Sequence, residues 1–345
     1  MTITQNNVVE TKISKAGEFI ANCVKANMPI FLVGSPGIGK TYKLHQVAEE
    51  LNYEVLVEYC AMCDPTDPKG IPFPNEDKTE AVLLPIGIMA QVFKATKPTI
   101  LFLDDLGNAP PAVQTPYMHI LYGRVIAGRK IPDCVSVVAA TNRLSDKSNV
   151  YAPLGSVNTR FSTILHITNT VDDFIQYAHG KPETFSTRDI SFIRYRPDLL
   201  NAFEVTNDFV NCPTPRTWEN CAKFFRMYDP ETPPYELIVG AIGEGAATER
   251  MGFERIYNDL PNPNSIINDP KKAEVPSDPA VKYALCGMLG KMVNKKNAGN
   301  VFDYFERLGG EFDSLAGRDA VGFNPAIIGT KGYKVWLKRH PEITM

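Results

Sequence analysis

The sequence predicts a parallel α/β fold followed by an all-helical region, and three observations carry that expectation. Short apolar or β-branched runs at Ile30–Val33, Glu54–Tyr59, Thr99–Leu103, Cys134–Ala140 and Thr163–Ile167 alternate with helical patterns. Such runs suit strands buried on both faces. The first of them leads straight into a glycine-rich turn, G-S-P-G-I-G-K-T, and then into a helix. Beyond Thr170 strand-like runs stop, and helical patterns broken by Pro and Gly take over. The expected architecture is a five-stranded parallel sheet flanked by helices over 1–170, then a helical domain over 171–345.

A short helix is expected at Lys15–Ala26, where Phe19, Ile20, Cys23 and Val24 are apolar. Next, Gly34–Thr41 fits G-x-x-x-x-G-K-[ST] at every fixed position. Tyr42–Leu51 is a helical pattern with Leu44, Val47, Ala48 and Leu51 on one face. Strand, turn and helix together make the match a phosphate site rather than an ordinary glycine turn. Gly34, Gly37 and Gly39, with Ser35, Pro36 and Ile38 between them, let the backbone N–H groups face inward. Those groups and the helix N-terminus offer positive charge to phosphate oxygens. Lys40 would reach the β- and γ-phosphates of ATP, and the Thr41 hydroxyl would ligate Mg²⁺.

Glu54–Tyr59 is the second strand. Cys60 and Cys63 follow as a lone CxxC. Without a second pair at zinc-site spacing, two small buried thiols are the expectation over a redox or metal role. Gly70–Pro74 and Glu80–Leu84, joined by the polar turn Asn75–Lys78, read as a hairpin, with a helix at Ile86–Lys94 after it. Thr99–Leu103 runs into Asp104 and Asp105. Carboxylates at the C-terminal edge of a buried strand stand where open α/β sheets bind ligands. Asp104 is expected to hold the Mg²⁺ water shell and Asp105 to polarise the attacking water. An aspartate N-cap is the bland alternative.

Val113–Leu121 is an amphipathic helix, and Tyr122–Pro132 a second hairpin turning at Ala127-Gly128. Cys134–Ala140 delivers Thr141, Asn142 and Arg143 at its end. Asn142 could bond the attacking water or the γ-phosphate, or merely form a turn. The segment 154–161 ends in Thr159-Arg160-Phe161 before the fifth strand. Arg160 is either a surface charge or an arginine finger for a neighbouring subunit. In the helical part, Val171–His179, Pro197–Phe203 and Thr217–Tyr228 are expected helices, with Pro215 and Thr217 marking a start. Pro234–Tyr257 reads as mostly helical, Leu260–Pro279 as an exposed linker or long loop, and Asp278–Val293 and Val301–Leu308 as helices, with Trp336 in the tail.

Composition bounds the function. Hydrophobic content of 44%, charge of 22% and a net charge of −3 are ordinary for a globular protein and argue against a generally basic, nucleic-acid-coating surface. No apolar run reaches the length of a membrane span, and Met1–Lys15 lacks a signal-peptide core, so a cytoplasmic protein is expected. The 5 histidines show no metal-ligand spacing, and no G-x-S-x-G nucleophile elbow is present.

The order of phosphate loop, Asp-Asp at a strand end, Asn at the next strand end, Arg-Phe before a fifth strand, and Pro-Arg opening a later helix resembles the AAA+ ATPases. The stretches D-P-T-D-P-K-G-I-P at 64–72, L-D-D-L-G-N-A-P-P at 103–111, A-A-T-N-R at 139–143 and P-T-P-R-T-W-E at 213–219 look most like the MoxR-like, dynein-related branch and its compact phage and bacterial members. The resemblance implies a P-loop NTPase core with a helical lid. It implies that Gly34–Thr41 is the Walker A loop, Asp104 and Asp105 the Walker B pair, and Asn142 the sensor-1 residue. Arg160 is then the trans finger and Arg216 the sensor-2 arginine on the lid. The hairpins match the helix-2 insert and the pre-sensor-1 hairpin, which in relatives face a ring's channel. One departure is Asp105, where relatives usually carry Glu; the shorter acid predicts slower hydrolysis.

The expected function is ATP hydrolysis with Mg²⁺ in a self-assembled ring, a hexamer, that remodels a protein client; many relatives work with a von Willebrand-type partner. Two other classes stay open. A DNA-handling motor or loader would use Arg124, Arg129 and Lys130, and the acidic net charge disfavours it. A slow, nucleotide-dependent scaffold is the second. No membrane partner is expected.

Overall fold

The computed structural model describes residues 9–146, 151, 155–206 and 208–344. Contacts divide the chain into two compact units, Met1–Thr170 with Phe203–Asn207 and Val171–Ala202 with Asp208–Met345. Among the described residues no helix is long and apolar enough to cross a membrane.

The first unit opens with strand β1 (Glu10–Lys12) and helix α1 (Ile13–Lys25), then β2 (Ile30–Val33), α2 (Lys40–Leu51) and β3 (Glu54–Tyr59). A hairpin of β4 (Ile71–Pro74) and β5 (Ala81–Leu84) precedes α3 (Gly87–Val92) and β6 (Thr99–Asp104). After α4 (Pro111–Gly123) come the second hairpin, β7 (Val125–Ile126) and β8 (Arg129–Lys130), then β9 (Val135–Thr141), α5 (Gly155–Asn158) and β10 (Thr163–Thr168). Leu154, expected to open the segment before Arg160, lies outside the described residues, as do 1–8 of the N-terminal stretch.

The main sheet has the order β1-β10-β2-β9-β6-β3, and every pairing is parallel. All five expected strands are present, with β1 as a sixth at the edge. Alternate residues face two separate cores, as the period of two requires. Phe31, Leu101, Leu103, Val137 and Ala139 pack with Tyr117, Ile120 and Leu121 of α4. Ile30, Leu32, Ile100, Phe102, Val138 and Ala140 pack with Ile20 and Val24 of α1 and Leu44 and Val47 of α2. Each such buried aliphatic side chain stabilises by about 1.5–3 kcal/mol, which pins the register of the central strands. The hairpin strands β4 and β5 pair antiparallel, Ile71 with Leu84 and Phe73 with Val82, and all eight residues are exposed.

The second unit is helical: α6 (Val171–His179), α7 (Thr187–Tyr195), α8 (Pro215–Tyr228), α9 (Tyr235–Ile242), α10 (Glu244–Asn258), α11 (Pro263–Asn268), α12 (Pro279–Met292), α13 (Ala298–Leu308), α14 (Gly310–Phe323) and α15 (Lys331–Arg339). Two expectations need correction. Pro197–Phe203 forms only a 3-10 turn over Pro197–Leu199, because the Trp218 indole takes the Leu199 carbonyl that a longer helix would use. Pro234–Tyr257 is mostly helical as expected, as two helices broken at Gly243, whose φ of +81° disfavours a side chain there. Leu260–Pro279 is no exposed linker. It contains α11, buries Ile266, and has carbonyls held from α13 by Asn300 on Ile267, Tyr304 on Glu274 and Arg307 on Pro270 and Ala273.

Candidate functional site

The parallel sheet brings the C-terminal ends of β2, β9 and β6 side by side, and each ends in a residue singled out in the sequence. Val33 pairs with Thr141 and Leu103 with Ala139, so Gly34, Asn142 and Asp104 emerge at one edge. The Gly34 N–H donates to the Thr141 carbonyl at 3.2 Å, which ties the loop to the strand carrying Asn142. Gly37 and Gly39 have φ of +74° and +101°, the left-handed region that glycine enters without strain. Gly34 serves close approach instead: a Cβ there would meet the Ile167 carbonyl oxygen at 2.8 Å. Asn169 donates to the Ile38 carbonyl at 3.2 Å and holds the loop from β10's side.

Lys40 is buried, and its Nζ donates to the carbonyls of Gly34 (2.8 Å) and Ser35 (3.0 Å) and to Asn142 Oδ1 (3.0 Å). The cation is thus folded back over the loop, with Asn142 on the same amine. Thr41 Oγ1 donates to Asp104 Oδ2 at 3.2 Å. Burial, and next the charge of Asp105, push the Asp104 carboxyl above the usual carboxylate range. Lys40, Thr41, Asp104 and Asn142, nominated from separate motifs, therefore meet in one place.

Asp105 follows with φ of +52°, and its N–H donates to Asp104 Oδ1 at 3.1 Å. Asp is among the few non-glycine residues that enter this region readily. The short acid therefore agrees with the local backbone.

One residue at this edge was named in the sequence but given no role. Arg143 donates to Asp146 Oδ1 at 2.9 Å and, through a short contact, to Ser35 Oγ of the phosphate loop. Its sequence signal was position alone, directly after Asn142. A cavity of about 410 Å³ lies beside this edge against Phe31, Val33, Asn142, Arg143, Asn158 and His166, and none of residues 34–41 lines it. The hollow and the backbone turn over residues 34–41 are thus lined by different residues.

The two arginines belong to other elements. Arg160 follows α5, its N–H donating to Val157 O at 3.0 Å, and its guanidinium lies over the Tyr122 ring, 4.8 Å from the centroid. Next to it Phe161 stacks on Phe31 at 4.6 Å. Arg216 is the second residue of α8 in the helical unit and is exposed. Helix α8 starts with a capping box between Thr214 and Thr217. A cation in a helix's first turn opposes the helix dipole, so Arg216 does not serve the stability of its own helix.

The cysteine pair lies under the strand ends. Cys60 is buried, and Cys63 donates to Glu58 Oε1 at 3.1 Å. Burial, then the hydrogen bond to Glu58, pushes the Cys63 thiol up to about 12; burial also raises Cys60 and the Glu58 carboxyl. These are neutral, packed thiols, as expected, though Cys63 is only partly buried.

Residues 30–169 match the model of the ATPase family associated with various cellular activities (AAA). No curated protein matches the chain. Among solved structures, NtrX from Brucella abortus in complex with ADP is similar at 11% identity, over 98% of this chain and 70% of that one, with a TM-score of 0.41. The RuvB Holliday junction branch migration motor of Thermotoga maritima is similar at 14% identity, over 95% of this chain and 86% of that one, with a TM-score of 0.34. Likenesses this distant carry no argument about function. The family match spans the strand before the phosphate loop through the last strand of the sheet, the same stretch that assembles Lys40, Thr41, Asp104 and Asn142. Over residues 30–169 the chain is therefore similar to the AAA family of ATPases.

Proposed function

We propose that the chain binds and hydrolyses ATP with Mg²⁺ in a ring of identical subunits, and uses the resulting motion to remodel a partner protein, as a MoxR-like member of the family. The observation that carries this reading is the joint contact of Lys40 with Asn142 and of Thr41 with Asp104 at the end of the phosphate loop. Thr41 and Asp104 are hard oxygen donors 3.2 Å apart, a donor set that fits Mg²⁺, which takes one or two protein oxygens besides phosphate and water. The raised pKa of Asp104 marks a carboxylate whose charge lacks sufficient compensation from protein groups. When bound, Mg²⁺ would neutralise phosphate charge as the bond to the γ-phosphoryl group breaks.

Within this reading the loop N–H groups bind the phosphates. Lys40 leaves the carbonyls of Gly34 and Ser35 for phosphate oxygens. Asp105 polarises the attacking water, and Asn142 orients it. Arg160 contacts the γ-phosphate of the next subunit's nucleotide, and Arg216 the nucleotide of its own. The hairpin β4–β5 supports a protein client: Ile71, Phe73, Val82 and Leu84 are all exposed, and apolar side chains suit a polypeptide better than a phosphate backbone. A DNA motor is the weaker reading. Arg124, one of the three cations it would use, donates instead to Asn27 Oδ1, Pro132 O and Val135 O.

Mixed assemblies test the shared site. Arg160→Ala subunits blended with Asp105→Asn subunits should recover part of the hydrolysis that each lacks alone. An intact site forms where an Arg160→Ala subunit's own residues meet a neighbour that keeps its arginine. Arg216→Ala blended in the same way should recover little. Equal rescue by both arginine variants would overturn the trans and cis roles.

A further inference from the structure

We propose that Tyr122 is a positioning residue for Arg160: its ring holds the guanidinium at the subunit surface, ready for a neighbour's γ-phosphate, without neutralising it. The inference rests on the reading of Arg160 as the trans finger. Arg160 Cζ lies 4.8 Å from the Tyr122 ring centroid, and Tyr122 is 78% exposed at the end of α4. A large aromatic side chain left so open gains little from burial, so packing does not account for it. Arg160 makes no ion pair among the described residues, and its Nε is buried without a hydrogen-bond partner. Several other arginines are held by carboxylates instead. Arg194, Arg196, Arg250 and Arg339 each pair with a carboxylate.

The chemistry of the two kinds of partner differs. A carboxylate would cancel the guanidinium's charge and would have to be given up before the arginine could serve a phosphate. A ring face attracts the cation through its quadrupole and leaves the N–H edge free to donate. The supports beneath are rigid. Val157, whose carbonyl accepts from the Arg160 N–H, is buried in the same core as Tyr117 and Leu121 of α4. Phe161, stacked on Phe31, fixes the chain on the other side. With both backbones anchored, the freedom left to Arg160 is that of its own side chain, and Tyr122 restricts it. Pre-ordering of this kind lowers the ordering cost when the subunits meet.

The test uses the full chain with ATP and Mg²⁺, comparing Tyr122→Ala, Tyr122→Phe, Arg160→Ala and the double variant Tyr122→Ala/Arg160→Ala. Tyr122→Ala should lower kcat on the order of 10-fold, as expected for a misplaced group, and leave KM for ATP nearly unchanged. Tyr122→Phe keeps the ring face and should keep the rate. The double variant should be no slower than Arg160→Ala alone. Blended with Asp105→Asn subunits, Tyr122→Ala should regain turnover as Arg160→Ala does, a pattern that general destabilisation would not produce. An inactive Arg160→Ala beside a fully active Tyr122→Ala overturns the positioning role alone. A fully active Arg160→Ala, or an unmodified chain without turnover, overturns the finger reading and the inference with it.

Discussion

Replacing Gly34 with alanine should impair nucleotide binding without unfolding the chain. The added Cβ would lie 2.6 Å from Ile38 Cδ1 and 2.8 Å from the Ile167 carbonyl oxygen. The isoleucine methyl can rotate away. The carbonyl is held more firmly, because Ile167 pairs with Thr11 of β1 and directly follows His166, which pairs with Val33 of β2. Reaching an ordinary contact of 3.4 Å requires the loop to retreat by about 0.6 Å. Overpacking on this scale costs about 1–3 kcal/mol. The Gly34 carbonyl also holds Lys40 Nζ, so the shift passes to the cation that should meet phosphate. A fall in ATP affinity of about tenfold or more is expected, since each 1.4 kcal/mol is a factor of about ten. Titration with a fluorescent ATP analogue, alongside a thermal melt, reads both effects. Gly252→Ala is the control: it lies in α10 with nothing within 4 Å of its Cβ, and it should stabilise by about 0.4–1 kcal/mol with binding unchanged. Wild-type affinity in Gly34→Ala would refute the loop as the phosphate site.

Two further perturbations probe the helical unit and the buried thiols. Arg250, 1% exposed, pairs with Asp189 at 2.9 Å and Glu254 at 2.7 Å; Arg250→Met leaves Glu254 with Arg188 and Asp189 with Ser186 but removes the buried cation between them, and should cost about 3 kcal/mol in chemical denaturation; a loss under about 1 kcal/mol would contradict the network. Cys63, pushed up to about 12 chiefly by burial, is protonated at neutral pH, and only thiolate reacts, so its alkylation should be slow at pH 8 and still climbing at pH 10; a plateau below pH 9 would show an exposed, ordinary thiol.

The sheet was legible because each central strand carries its own signal. Ile30–Val33 and Thr99–Leu103 are continuous apolar runs, and their ends hold the residues that meet at the site. The edge strand β1 was not legible: Glu-Thr-Lys has no apolar pattern, and its strand character comes from pairing with β10. Helix α7 was missed for a different reason. Thr187, Ile190, Phe192, Ile193 and Tyr195 are β-branched or aromatic and favour helix weakly. Its start was nonetheless written in the sequence, as a capping box in which Ser186 and Asp189 bond each other's backbone N–H groups. Prolines made 260–279 look like a linker, whereas long-range hydrogen bonds from Asn300, Tyr304 and Arg307 hold it down. Local patterns cannot reveal such partners. At the site, motifs nominated Lys40, Thr41, Asp104 and Asn142. Only the fold showed Arg143 against Ser35, more than a hundred residues away in sequence.

ATP binding and phosphate release are to be measured separately on the unmodified chain, Lys40→Ala and Asp105→Asn. The unmodified chain should bind and hydrolyse ATP. Lys40→Ala should fail to bind, because the loop loses the cation that Asn142 and the Gly34 and Ser35 carbonyls now hold. Asp105→Asn should bind ATP but release no phosphate. Turnover by Asp105→Asn at the unmodified rate, or undiminished ATP binding by Lys40→Ala, would contradict the account.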